Sequence, residues 1–168
     1  MRSYIGLGSN LWEPVLHLQS ALKKLQNDTD MQLLKVSAFY QSKALTMPDA
    51  PPQNDYINAV AMLETSLSAE QLLHKLNAIE ASQGRVRDEK WGARTLDLDI
   101  LLYGDLRLRT DTLTIPHAQI EFRNFVIHPW FEIAGAIEIP GLGNLETLAE
   151  NTDWNGLQKL FVENCIAN

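Results

Sequence analysis

Two carboxylates, Asp97 and Asp99, are separated by a single residue in the segment TLDLDILL. The segment alternates apolar and polar residues, which predicts a β-strand, and residues two apart in a strand point to the same face. The two carboxylates would then lie close together and repel each other unless a cation binds between them. A divalent ion such as Mg2+ could bind there and bridge the carboxylates to phosphate oxygens. A polar, solvent-facing strand face is the alternative, and the spacing alone does not decide between them. The opposite, apolar face would carry Leu96, Leu98, Ile100 and Leu102.

Four basic residues directly precede this strand: Arg85, Arg87, Lys90 and Arg94. Guanidinium and ammonium groups suit phosphate oxygens. Alone, such a cluster is also typical of a solvated helix end. Beside a carboxylate pair that could bind metal, the cluster favours a nucleotide-phosphate site.

Several common site motifs are missing from the sequence. No G-x-x-x-x-G-K-[ST] segment is present, and the dinucleotide pattern that starts at Gly6 fails because Leu11 stands where its third glycine belongs. We expect Gly8 to begin a tight turn instead. The four histidines lack metal-ligand spacing, which argues against zinc. The single cysteine, Cys165, cannot form an internal disulfide.

An aromatic residue and an amide, Tyr56 and Asn58, would share one face of another predicted strand. Such a pair could stack on and hydrogen-bond a flat heterocycle. Spacing alone favours the plainer interpretation, an ordinary strand aromatic with a polar neighbour. Trp91 lies in a glycine-flanked polar loop, where it could cap a ligand. His117 follows a proline directly before a predicted helix, and considered alone it is structural.

Composition narrows the classes of partner. The chain has 168 residues, and 14 Lys and Arg against 21 Asp and Glu give a formal charge of −7. An acidic chain without a basic face is a poor partner for nucleic acid or anionic membrane. No signal-peptide pattern and no long apolar run is present. We therefore expect one domain over residues 1–168, cytoplasmic and monomeric, with small-molecule substrates.

The predicted elements follow the order β-α-β-β-α-β. Strands are predicted over 3–8, 31–42, 56–65 and 95–104, and helices over 14–27 and 68–84. A proline-rich loop spans 43–55. A hairpin over 106–115, a helix around 121–135 and a weaker helical region near 145–163 complete the chain. This order predicts an α+β, ferredoxin-like sandwich, with a mainly antiparallel sheet, helices on its faces and a C-terminal extension.

Several ordered motifs give the sequence a resemblance to a known family. They are YIGLGSN at 4–10, DYINA at 55–59, Glu80 with Gly84-Arg85, KWG at 90–92, RTLDLDILLYG at 94–104, IPH at 115–117 and RNFV at 123–126. Across most of its length the chain resembles the 6-hydroxymethyl-7,8-dihydropterin pyrophosphokinases of folate biosynthesis. The resemblance implies transfer of the β,γ-diphosphoryl group of ATP to the pterin hydroxymethyl oxygen, with release of AMP and with two Mg2+ ions.

The resemblance also implies roles for individual residues. Asp97 and Asp99 match the metal ligands, and Asp97 could also help to deprotonate the attacking hydroxyl. Catalysis would further involve Arg85 and Arg94. The pterin-binding positions are Leu45, Tyr56, Asn58, Trp91 and Phe125, with Trp91 also closing as a lid. The ATP-binding positions are Glu80, Arg85, Trp91, Arg94, Ile100, Thr114, His117 and Arg123.

Two other functions compete with this interpretation. A non-catalytic pterin- or nucleotide-binding module would have no need of the carboxylate pair. A metal-dependent phosphodiesterase acting on nucleic acid is disfavoured by the charge of −7. The chain also departs from many family members at Thr112, where arginine is common, and at Thr46, Asn77 and Ala118, which bears on ATP affinity and loop kinetics.

Overall fold

The computed structural model describes residues 1–43, 48–84 and 95–162. Four of the predicted site residues therefore lie outside the described residues: Leu45, Arg85, Trp91 and Arg94. Arg87, Lys90 and Cys165 lie outside them as well.

The first half of the chain has the predicted order of elements. These are β1 (Arg2–Ser9), α1 (Pro14–Asn27), β2 (Met31–Val36), β3 (Tyr40–Ser42), β4 (Tyr56–Thr65), α2 (Ala69–Ser82) and β5 (Asp97–Tyr103). The later elements are β6 (Leu108–Arg109), β7 (Thr114–Ile115), a short 3-10 helix (Ile120–Phe122), α3 (Asn124–Ala134), β8 (Glu138–Ile139), β9 (Gly143–Asn144), α4 (Leu145–Glu150) and β10 (Gln158–Lys159).

One antiparallel sheet organises the domain. Its central strand β1 lies between β5 and β4, and β4 pairs in turn with both β2 and β3. The short β10 pairs with the outer edge of β3. The strand order β5-β1-β4-β2/β3 is the one expected for a ferredoxin-like β-α-β-β-α-β unit, so the predicted fold class is confirmed.

Local sequence accounts for the two helices on the first face of the sheet. Pro14 opens α1, where its fixed φ and missing N–H are tolerated. At α2, Ser68 and Gln71 form the predicted capping box, with the Ser68 hydroxyl accepting from the Gln71 N–H and the Gln71 side chain accepting from the Ser68 N–H. Helix α1 packs against β1 and β4 and helix α2 packs against β5. Both helices contribute leucines to the first core: Leu18, Leu22, Leu25, Leu72 and Leu76.

The second face of the sheet is covered by α3 and α4. Trp130 of α3 is fully buried and packs with Tyr4, Val60 and Leu101 in a second core. Helix α3 ends at Gly135, whose φ of +66° terminates the helix without strain. On this face α3 packs mainly on β4 and β3.

Two predicted elements need correction. The predicted strand over 31–42 is divided into β2 and β3 at Ser37. There the Ser37 N–H donates to the Val60 carbonyl, and the Ser37 hydroxyl accepts from the Val60 N–H in place of a backbone carbonyl. The predicted helical region near 145–163 is helical only over Leu145–Glu150. Beyond that helix the chain turns back, Trp154 stacks on His128 with ring centroids 3.7 Å apart, and β10 joins the sheet.

A β-bulge changes the predicted facing of β5. Ile5 pairs with Ile100 and Tyr4 with Leu102, so Leu101 is an extra residue in the strand. Beyond a bulge the alternation of faces is reversed. Leu102 therefore packs with Tyr4 in the second core rather than with Ile100 in the first, contrary to the prediction from simple alternation.

Candidate active site

Both carboxylates of β5 lie on the α3 face of the sheet. Asp97 pairs with Gly8 and Asp99 with Gly6, while the intervening Leu98 packs in the first core on the opposite face. Residues two apart in a strand have Cα atoms about 7 Å apart. Both side chains are half-buried. The predicted juxtaposition of the two carboxylates is thus present in the fold.

Between the carboxylates and β4 runs a strip of bare backbone, formed by Gly6 and Gly8, which we call the glycine trough. A Cβ atom at Gly8 would lie 3.4 Å from Oδ1 of Asn58 and 3.6 Å from Cδ1 of Tyr56. The Asn58 and Tyr56 side chains thus lie over Gly8, which is buried, and no side chain of β1 separates Asn58 from Asp97. The tight turn predicted at Gly8 is wrong, because β1 continues through Ser9.

Asn58 forms the opposite wall of the trough, and only 4% of its surface is exposed. Gly8 pairs with Asn58 on one side and with Asp97 on the other. Neighbouring strands are separated by about 4.8 Å, so these two Cα atoms are about 10 Å apart. Tyr56 is half-buried and reaches the same trough. The aromatic and amide groups predicted to share a strand face thus line one cleft.

The Asp99 end of the trough adjoins the segment before α3. The His117 N–H donates to the Leu101 carbonyl at 3.0 Å, which ties the segment to β5. Burial lowers the pKa of His117, the charge of Asp99 opposes that shift, and Arg123 adds to it. The Gln119 N–H donates to Nδ1 of His117 at 3.2 Å, so the neutral ring carries its proton on Nε2.

Arg123 is held in place at the start of α3. Its guanidinium donates to the side-chain oxygen of Gln119 and lies 5.7 Å from the centre of the Phe125 ring, within the range of a cation–π contact. Its Nε atom is buried and has no hydrogen-bond partner among the described residues. A fixed guanidinium beside His117, which also experiences the charge of Asp99, is suited to an anionic ligand.

The remaining predicted ATP positions are dispersed. The side chain of Ile100 packs in the first core, on the face opposite Asp99. Glu80 is buried near the end of α2. Thr114 is half-buried in β7, which pairs with β6. Among the described ATP positions, His117 is linked to the site by the charges of both Asp99 and Arg123, which act on its ring.

Sequence reasoning missed four residues that shape this cleft: Gly6, Gly8, Ser42 and Gln119. The two glycines carried a detectable signal, since glycines two apart within a strand leave one face bare. Ser42 and Gln119 act through contacts between segments, for which the sequence offers no comparable signal.

The donor set suits a hard divalent cation. Within residues 1–43, 48–84 and 95–162, no group of three or more His, Cys, Asp and Glu residues is placed to hold a metal ion. Two half-exposed carboxylates supply only part of a coordination shell, which matches the preference of Mg2+ for a few carboxylates, water and substrate phosphates. No helix in the described part of the chain is both long and apolar enough to span a membrane.

Fold and cleft together define an α+β domain with a polar site on one face of an antiparallel sheet, lined by paired carboxylates, an amide and an arginine. Residues 4–135 match the family model of 7,8-dihydro-6-hydroxymethylpterin-pyrophosphokinase (HPPK). The chain belongs to this family, and the resemblance noted from its motifs is confirmed.

Named relatives agree with this assignment. A 2-amino-4-hydroxy-6-hydroxymethyldihydropteridine pyrophosphokinase of Haemophilus influenzae is 51% identical over 138 residues, covering 82% of this chain and 84% of its own. The enzyme of the same name from Pseudomonas aeruginosa is 40% identical over 159 residues, covering 95% and 96%.

Solved structures support the fold. An HPPK-DHPS in complex with substrates superposes with a TM-score of 0.69 at 10% identity, and wild-type HPPK-DHPS of Plasmodium falciparum with a TM-score of 0.65 at 11% identity. Each alignment covers 96% of this chain, which spans just under half of those longer chains (46% and 47%). At such identities the similarity concerns the fold alone.

Proposed function

We propose that this protein transfers the β,γ-diphosphoryl group of ATP to the hydroxymethyl oxygen of 6-hydroxymethyl-7,8-dihydropterin, giving the pterin diphosphate and AMP. Family membership supports this reaction. The observation that carries it is the placement of Asn58 and Asp97 on either side of Gly8, because a heterocycle site and an acidic phosphate site then share one cleft.

The cleft suggests where each substrate would lie. The pterin would occupy the Gly8 end of the trough, against Tyr56 and Asn58, with Phe125 offering a second aromatic surface. The triphosphate would lie toward the Gly6 end, near Asp99, His117 and Arg123. By the family resemblance, Leu45 and Trp91 would complete the pterin pocket and Arg85 and Arg94 would contact the phosphates.

Asp97 and Asp99 would hold Mg2+, which when bound neutralises phosphate charge and orients the triphosphate. The hydroxymethyl oxygen would form a bond to the β-phosphorus while the bond between that phosphorus and the α,β-bridging oxygen breaks, so that AMP departs with the bridging oxygen. Asp97, opposite Asn58, is the described carboxylate best placed to take the hydroxyl proton. Arg123 would stabilise negative charge that shifts during transfer.

The test combines the purified protein with ATP, Mg2+ and 6-hydroxymethyl-7,8-dihydropterin and separates the nucleotides by chromatography. AMP that appears only when pterin is present supports attack at the β-phosphorus. ADP instead of AMP would contradict it. Binding of both ligands without turnover would favour a non-catalytic binding module. Omitting Mg2+, and substituting Mn2+ or Ca2+, tests the metal requirement separately.

The expectations of a monomer and of a cytoplasmic location stay predictions. Light scattering on the purified protein measures the first directly. A mass of twice 18.9 kDa would contradict it.

A further inference from the structure

A buried hydroxyl, that of Ser42, lies directly behind Asn58. Ser42 is the last residue of β3 and is 6% exposed. Nδ2 of Asn58 donates to Oγ of Ser42 at 2.8 Å and to the Tyr40 carbonyl at 3.3 Å. Both hydrogens of the amide nitrogen are therefore directed into β3, away from the trough.

These contacts decide which end of the amide faces the cleft. A backbone carbonyl can only accept a hydrogen bond, so the Tyr40 oxygen requires the nitrogen end of Asn58 on its side. The bond to Ser42 is the shorter of the two and holds the same end in place. Oδ1 consequently faces Gly8, where a Cβ atom would approach it to 3.4 Å.

We propose that Ser42 is a positioning residue for substrate selection: it fixes the Asn58 amide so that its oxygen, an acceptor, is presented to the heterocycle. The inference rests on the proposed function, in which Asn58 binds the pterin. A 2-amino-4-oxo ring carries N–H donors on its edge, and a fixed acceptor selects such an edge over one that offers only acceptors. A ring edge without N–H groups would instead place an acceptor atom against the Asn58 oxygen, with no hydrogen between the two buried acceptors.

Three substitutions at Ser42 separate this role from simple packing. Ser42→Ala removes the acceptor, Ser42→Cys nearly preserves the volume but bonds weakly, and Ser42→Thr keeps the hydroxyl. The matched control is Ser3→Ala. Ser3 is fully buried, and its hydroxyl donates to the Leu102 carbonyl at 2.7 Å, near the opposite end of β1 from the trough.

Losing the Ser42 bond should raise the KM for pterin by about 10-fold, since one net hydrogen bond of this kind is worth roughly that factor. The KM for ATP and kcat should stay within about twofold, since the phosphate end of the cleft is untouched. Ser42→Cys should change the pterin KM in the same direction by less, and Ser42→Thr should restore it. Ser3→Ala should lower the melting temperature without changing either KM.

The proposal is overturned if Ser42→Ala leaves the pterin KM unchanged, or if Ser42→Ala and Ser3→Ala raise both KM values alike. Calorimetric titration of the pterin into wild type and Ser42 variants, with a non-hydrolysable ATP analogue present, keeps the test independent of turnover. Weaker pterin binding by Ser42→Ala in a wild type that lacks turnover would support the positioning role while the proposed reaction fails. A wild type that binds no pterin would overturn both.

Discussion

Asn58 and Asp97 lie on opposite sides of a single β1 residue, Gly8, which pairs with Asn58 on β4 and with Asp97 on β5. Because Gly8 has no side chain, nothing from the central strand stands between the amide and the carboxylate. A substrate that lies across the strand could therefore contact both walls at once. The next pairing along the sheet repeats the arrangement, with Gly6 between Val60 and Asp99.

Filling the trough at Gly8 should impair pterin binding while the fold survives. In Gly8→Ala the new methyl group would lie 3.4 Å from Oδ1 of Asn58 and 3.6 Å from the Tyr56 ring, which is ordinary contact for the protein but takes up ligand space. We expect the pterin KM to rise about 10-fold or more and the melting temperature to stay equal or increase, since alanine costs less strand entropy than glycine. Steady-state kinetics and thermal melting measure the two effects.

Gly6→Ala is the matched control for that variant. Its methyl group would meet Leu101 at 3.4 Å, beside Asp99 rather than Asn58. It should therefore affect ATP more than pterin. Equal effects of the two variants on both substrates would contradict the division of the trough into a pterin end and a phosphate end.

Removing either carboxylate charge should abolish turnover and leave the fold intact. In Asp97→Asn and Asp99→Asn we expect the rate of AMP formation to fall by at least about 1000-fold, because charge stabilisation is the main catalytic contribution in phosphoryl transfer. Both variants should remain folded, since asparagine has nearly the same shape as aspartate and both positions are only half-buried. Rates come from nucleotide chromatography and stability from urea unfolding.

The proposed binding of Mg2+ by Asp97 and Asp99 can be tested separately from turnover, by thermal melting of the same two variants. Mg2+ with a non-hydrolysable ATP analogue should raise the melting temperature of wild type, because a ligand that binds only the folded state stabilises it. The shift should be absent or much reduced in both asparagine variants. A variant that keeps near-normal rates, or the full ligand-induced shift, would exclude these residues as metal ligands.

Much of the fold follows from local sequence patterns. The leucine spacing of α1, the capping box of α2 and the alternation around Asp97 each depend on neighbours in sequence, and each prediction is confirmed. The predictions from sequence were wrong where pairing between distant segments determines the structure. The bulge at Leu101 and the division of the strand at Ser37 both arise from partners far along the chain.

The same distinction applies to the site. The carboxylate pair was predicted because two residues of one strand suffice to define it. The glycine trough was not, because it exists only in the register of β1 with β4 and β5. Likewise, the orientation of the Asn58 amide depends on Ser42 and Tyr40, which belong to another strand.

Replacing Arg123 by lysine should weaken ATP binding selectively. The guanidinium both donates to Gln119 and lies over the Phe125 ring, and a single ammonium group lacks the planar fork needed for both contacts. We expect Arg123→Lys to raise the KM for ATP about 10-fold, a typical cost for losing one charge-assisted bond. Arg109→Lys, on the exposed β6, is the control and should have normal kinetics. A normal ATP KM for Arg123→Lys would remove this residue from the nucleotide site.

Tyr40 should make stability depend on pH in the alkaline range. Burial raises the pKa of Tyr40, and its hydrogen bond to Glu132 (2.6 Å) and the charge of that carboxylate raise it further. Because the folded-state pKa lies above the unfolded value of about 10, the stabilising contribution is complete below pH 10 and is lost as pH rises above it.

Tyr40→Phe should be about 1 kcal/mol less stable than wild type at pH 8, through loss of the hydrogen bond to Glu132. Above pH 10 the free energy of unfolding of wild type should fall relative to that of Tyr40→Phe by up to about 1.4 kcal/mol per pH unit, since only wild type carries this titrating group. The gap between the two proteins should therefore narrow. Urea unfolding of both proteins at pH 8, 10 and 11 measures the gap, and the other tyrosines cancel in the difference. A gap that stays constant across this range would mean that the Tyr40 hydroxyl ionises equally easily in the folded and unfolded states.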